Sequence, residues 1–165
     1  MRYVVMAILM TLICLDLSMA QTRDQQRASL QGLQGVEVVI ESLRPDVQAD
    51  GLSEEAIRAA VELILHSNGI RVLTRSESLK TPAAPYLYVK VSTFNHSSDL
   101  YAYAVTVEAM QKVSLAQRPQ QTMSATTWEK GGVGTTGHSN IRMVIDSVES
   151  KVKEFANDFL AANPR

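Results

Sequence analysis

The chain has 165 residues, with 16 lysines and arginines against 17 aspartates and glutamates, a net charge of −1, and 45% apolar residues. A balanced charge with no basic block speaks against nucleic acid and against strong attraction to anionic lipid. The lone cysteine, Cys14, lies in the N-terminal apolar run, so the rest of the chain can hold no disulfide, no thiol nucleophile and no cysteine-based zinc site.

Residues 1–20 read as a secretory signal peptide. Arg2 precedes an unbroken apolar run from Tyr3 to Leu15, and Ser18 and Ala20 have the small-residue spacing that a signal peptidase cuts. The run is shorter than the roughly 20 apolar residues of a spanning helix. Export to the periplasm or medium, with cleavage after Ala20, is the expectation. Leu12 and Ile13 before Cys14 do not suit lipid attachment, which wants small residues there. The remaining length suits one domain, and a chain of that size buries roughly 68% of its extended surface.

Residues 21–35 are polar and aperiodic, and read as a flexible leader ahead of a domain over 36–165. Val36 to Leu43 alternates as a strand and stops at Arg44-Pro45. Ser53, Glu54 and Glu55 open a helix whose apolar stripe is Ile57, Ala60, Val61, Ile64 and Leu65. Gly69 closes it, and Ile70 to Thr74 reads as a second strand. Arg75 to Pro85 reads as a loop. Tyr86 to Phe94, Leu100 to Leu115 and Thr122 to Lys130 then form three antiparallel strands of a meander. From about Asn140 to Ala162, Ile141, Val144, Val148, Val152, Phe155 and Phe159 keep a helical period, with Ser139 as cap and Pro164 as stop. The order β-α-β-β-β-β-α predicts an α+β two-layer sandwich, a small and mainly antiparallel sheet with both helices on one face.

Gly132, Gly134 and Gly137 spell G-x-G-x-x-G. A dinucleotide fingerprint needs a further parallel strand and a distal acid after its helix, and here the helix takes nearly all of the remaining chain. A Walker loop needs Gly-Lys-Ser/Thr, which is absent. The segment reads as a loop into the last helix, and no cofactor is expected. His66, His96 and His138 have no metal-ligand spacing, and nothing brings Asp99 and Glu108 together as a carboxylate pair. There is no G-x-S-x-G elbow. Asn95-His96-Ser97 is a glycosylation sequon only in a eukaryotic secretory setting. No catalytic or metal residue is assigned.

Tyr86, Tyr88, Tyr101, Tyr103 and Trp128 are the candidate site residues. They make either ordinary cross-strand packing or an aromatic platform on the uncovered sheet face for a partner or an apolar ligand.

At Asn68–Val72 (NGIRV), Pro85–Val91 (PYLYVKV) and Ala125–Trp128 (ATTW) the chain resembles an uncharacterised family of small exported bacterial proteins. In architecture it is loosely similar to the lipopolysaccharide-assembly lipoprotein LptE and to the N-terminal domain of TolB, without the lipid cysteine of the one or the propeller of the other. That resemblance implies no activity. The expectation is a non-enzymatic binding or adaptor module of the cell envelope, whose partner is another envelope protein or a small apolar ligand. The alternatives are a carrier of such a ligand, or an enzyme with a composite site between Asn95–Asp99 and Gly131–His138.

Overall fold

A computed structural model describes residues 23–97 and 99–164. The expected signal peptide, its cleavage after Ala20 and Cys14 lie outside the described residues. Helix α1 covers residues 23–28. There follow β1 (Glu37–Ile40), α2 (Pro45–Ala49), α3 (Glu54–Ser67), α4 (Arg75–Lys80), β2 (Tyr86–Ser97), β3 (Leu100–Leu115) and β4 (Arg118–Gly137). A 3-10 helix (His138–Met143) then leads into α5 (Val144–Ala162).

The four strands form one open sheet in the order β1-β2-β3-β4. β1 runs parallel to β2, with Glu37 opposite Tyr86, and the other pairs are antiparallel. Helices α3 and α5 lie side by side, α3 on β1 and α5 on β3 and β4. Their buried stripes, Ile57, Val61 and Leu65 on α3 and Val148, Val152 and Phe155 on α5, meet Val38, Leu87, Val89, Val105 and Val107 in one core. This is the expected α+β sandwich, an open sheet with both long helices on one face.

The best-marked helix forms for the local reasons its sequence gives. Ser53 Oγ accepts from Ala56 N at 3.1 Å. At the other end Gly69 takes φ +68°, which lets Ile70 N reach back to Leu65 O at 2.9 Å.

Four expectations are corrected. The strand expected over Ile70–Thr74 is only a single parallel bridge, Val36 to Val72. The chain cannot extend it because Thr74 opens α4 with a capping box: its hydroxyl accepts from Glu77 N, and the Glu77 carboxylate accepts from Thr74 N at 2.8 Å. The loop expected over Arg75–Pro85 therefore contains a helix. The glycine segment expected as a loop is strand: β4 continues to Gly137, with Gly132 opposite Val105 and Gly134 opposite Tyr103. The last helix has no Ser139 cap; the 3-10 turn precedes it and α5 begins at Val144.

Residues 23–35, read as a flexible leader, are packed into the fold. Leu30 is fully buried in the core. Gln111 Nε2 donates to Ser29 O at 2.9 Å and to Thr127 Oγ1 at 2.7 Å. Asn163, just past α5, donates to Leu30 O at 3.0 Å and accepts from Gly32 N at 2.7 Å. The segment thus ties the middle of β4 to the C-terminal end of α5. No helix among the described residues is long and apolar enough to cross a membrane, which says nothing of strands.

Candidate functional site

The five aromatic candidates do not share a face. Side chains alternate along a strand, so parity assigns each to a layer. Tyr101 and Tyr103 are in phase with the buried Val105 and Val107 and point to the helices. Trp128 pairs with Ala109 and also points to the helices, where it is fully buried. Its ring meets Phe155 edge-on at 5.2 Å, and its Nε1 donates to Asp158 Oδ2 at 2.9 Å. The indole is a core residue with its polar handle satisfied.

Tyr103 explains Gly134. A Cβ added at Gly134 would lie 2.6 Å from Tyr103 Oη, so the ring occupies the space that a side chain at 134 would need. Crossing there, the Tyr103 hydroxyl reaches Ser147 Oγ on α5 at 2.9 Å. At Gly132 the nearest atom to an added Cβ is Lys151 Cε, at 3.5 Å. The G-x-G-x-x-G pattern is therefore strand backbone, crossed by an aromatic at Gly134, and not a phosphate turn.

Tyr101, 1% exposed, stacks on His138 with ring centroids 4.1 Å apart. Its hydroxyl donates to Asp50 Oδ2 at 2.9 Å, and His138 Nδ1 lies 2.9 Å from the same oxygen. Burial, and then the Asp50 carboxylate, push the Tyr101 phenol up to about 12. An Asp–His pair is half of a nucleophile-activating arrangement. Here His138 Nε2, the atom that would take a proton from a nucleophile, is buried and has no hydrogen-bond partner among the described residues. The cluster ties the end of β4 to the turn after α2; Arg142 Nε, which donates to Gly51 O at 3.1 Å, adds to that tie. The two segments of the composite loop site do meet, His138 N donating to Asp99 O at 3.3 Å. Asp99 and Glu108 stay apart: Glu108 is nine residues further along β3, roughly 30 Å at strand rise. Among the described residues no group of three metal-ligating side chains converges.

Tyr86 and Tyr88 do lie on the face opposite α3 and α5, half-buried beside Met110 and Glu108. Burial, and next the Glu41 carboxylate, push the Tyr88 phenol up. Further along the same face is the feature the sequence reading missed. Phe94 is 65% exposed and Val133 is 86% exposed. Between them β3 offers only Ala102 and Ala104, so the two larger side chains wall an open hollow of about 540 Å³, finished by Ser92 and Thr135. Phe94 has the same parity as Tyr86 and Tyr88, which is the signal that could have found it.

No model of a known protein family matches the chain, and no curated protein matches it. Among solved structures it is similar to a minor lipoprotein from Acinetobacter baumannii, with 11% identity over 80% of this chain and 92% of that chain, at a TM-score of 0.30. A likeness at that identity and score carries no argument about what this chain does.

Proposed function

We propose that this protein is a non-enzymatic binding or adaptor module of the bacterial cell envelope, exported and freed of residues 1–20, that holds its partner on the sheet face opposite α3 and α5. The observation that carries the reading is the exposed apolar pair Phe94 and Val133 around a floor of alanines. Burying such side chains against a partner gains roughly 25 cal/mol per Å² of apolar surface, while leaving them in water gains the fold nothing. Tyr86 and Tyr88 extend the surface with flat rings that bind at low entropy cost. Tyr101, Tyr103 and Trp128 support it from within, since they fix the strands under the helices.

Crosslinking with mass spectrometry in native envelopes tests the reading. Phe94→Glu, and separately the Tyr86→Ala/Tyr88→Ala pair, are expected to abolish a reproducible crosslink while leaving the melting temperature within a few degrees. Crosslinks that survive both variants, or that vanish only in step with lost melting temperature, would refute it.

A further inference from the structure

We infer that the free edge of β4 pairs with β4 of a second copy of this chain, antiparallel about a twofold axis at Val133, joining two sheets into one of eight strands. The pairing goes beyond the proposed function and does not depend on what the hollow holds; it needs only the strand edge.

The fold protects the rest of that edge. The hairpin half carries Pro119 and register shifts at Ala109/Met110 and Ser114/Leu115, features that spoil edge pairing. The middle is closed by the N-terminal segment: Ser29 Oγ donates to Thr127 O at 3.1 Å and Glu129 N donates to Gln26 Oε1 at 3.5 Å. Gly131 to Gly137 has neither charge nor proline, and its one large side chain, Val133, is 86% exposed. On the helix side Gly132 and Gly134 put no side chain in the way of a neighbouring backbone.

The second copy fits by geometry and charge. Paired strands stand about 4.8 Å apart. α5 packs on both β3 and β4, and an axis midway between those strands would stand about one strand spacing from the proposed twofold. Two α5 helices would then lie about 10 Å apart, an ordinary helix-packing distance. The side of α5 that borders the groove beside β4 is small and charged: Asp146, Ser147, Ser150 and Lys151. Ser147 stands level with Gly134, through Tyr103, and Lys151 level with Gly132. A twofold at Val133 exchanges those two levels. Lys151 of one copy is thereby brought to the level of Ser147 and Asp146 of the second copy, and the reverse. Two Lys151–Asp146 contacts form, and two Val133 side chains meet on the opposite face. The Lys151 stem borders the groove over Gly132, and its ammonium donates to its own Glu154 at 2.7 Å.

Sedimentation or light scattering on protein purified from cells expressing the full sequence tests this, at about 100 µM, a concentration that populates even a weak pair. The expected mass is that of two chains. Val133→Lys, at an exposed position, is expected to weaken dimerisation at least tenfold, or by about 1.4 kcal/mol, and Asp146→Lys to weaken it as well. Asp146→Lys with Lys151→Asp is expected to restore pairing, because the charges are then exchanged across the axis. Leu63→Lys, on the exposed side of α3 (69% exposed), is expected to leave the dimer intact. A single-chain mass at that concentration, a dimer indifferent to Val133→Lys, or a charge exchange that fails to restore pairing would each overturn the proposal.

Discussion

The two edges of this sheet are treated in opposite ways. At β1 the chain closes its own edge: Val36 N donates to Arg71 O at 3.1 Å, Leu73 N donates to Val36 O at 2.9 Å, and Arg58 Nη1 donates to Val38 O at 2.7 Å. Among the described residues the same closure at β4, through Gln26 and Ser29, reaches Thr127 and Glu129 and no further. Beyond them the strand runs on to Gly137, and the described residues supply no partner to its outer backbone groups there. An open edge is a template for another strand. The contrast shows that secured and available surface in this molecule differ by a few side chains laid along an edge and not by the type of secondary structure.

The largest expected effect comes from removing the cover of the β4 edge. Leu30 anchors the N-terminal segment in the core at 0% exposure. Leu30→Ala is expected to cost about 2–5 kcal/mol in urea unfolding, the range for a fully buried leucine. It should also speed hydrogen exchange at the Glu129 amide. Unchanged stability would show that residues 23–35 are an appendage after all. Next comes the open stretch itself. Gly134→Val drives a side chain into Tyr103, which must leave Ser147, at a cost of about 1–3 kcal/mol. Combined with Tyr103→Ala the losses should be less than additive, because the collision is gone. Strict additivity would mean that Tyr103 does not occupy that space.

What was legible in the sequence followed how local its cause was. Helix α3 was readable because Ser53, Glu54, Ile57 and Gly69 carry its signals within their own span. The meander was readable from alternation. Helix α4 was missed although Thr74-x-x-Glu77 is a capping-box signature, because the preceding apolar run looked like a strand. The glycine segment of β4 misled for a different reason: Gly134 answers to Tyr103, some thirty residues earlier, lying across it. Among the site candidates, the phase shared by Tyr101, Tyr103, Val105 and Val107 already pointed to the helix side. Trp128 could not be placed that way. Thr127 is an extra residue between the pairs Met110–Thr126 and Ala109–Trp128, and such a bulge flips parity without a sequence signal. The burial of Leu30 depends on Gln111 and Asn163, both distant in the chain.

Smaller effects sharpen the contrast from the secured edge and from the place where the open one ends. Arg58→Met keeps the aliphatic stem but leaves Val38 O without its donor, an expected loss of about 1 kcal/mol for a partly exposed guanidinium. Amide exchange should rise in β1 and not in β4; a uniform rise would mean that Arg58 serves overall stability and does not close the edge. At the far end of β4, Tyr101 and His138 share Asp50 and fasten the chain as it leaves the sheet. The fold holds the Tyr101 phenol at about 12, above the usual value of about 10, so the native state favours its neutral form. A raised folded pKa contributes stability that is complete below the unfolded pKa and lost as pH climbs through the folded one. Between pH about 10 and about 12 the native chain should therefore lose stability more steeply than Tyr101→Phe, in which that titration is absent. Parallel curves for the two proteins would show that the phenol is not held neutral by Asp50 and the surrounding core.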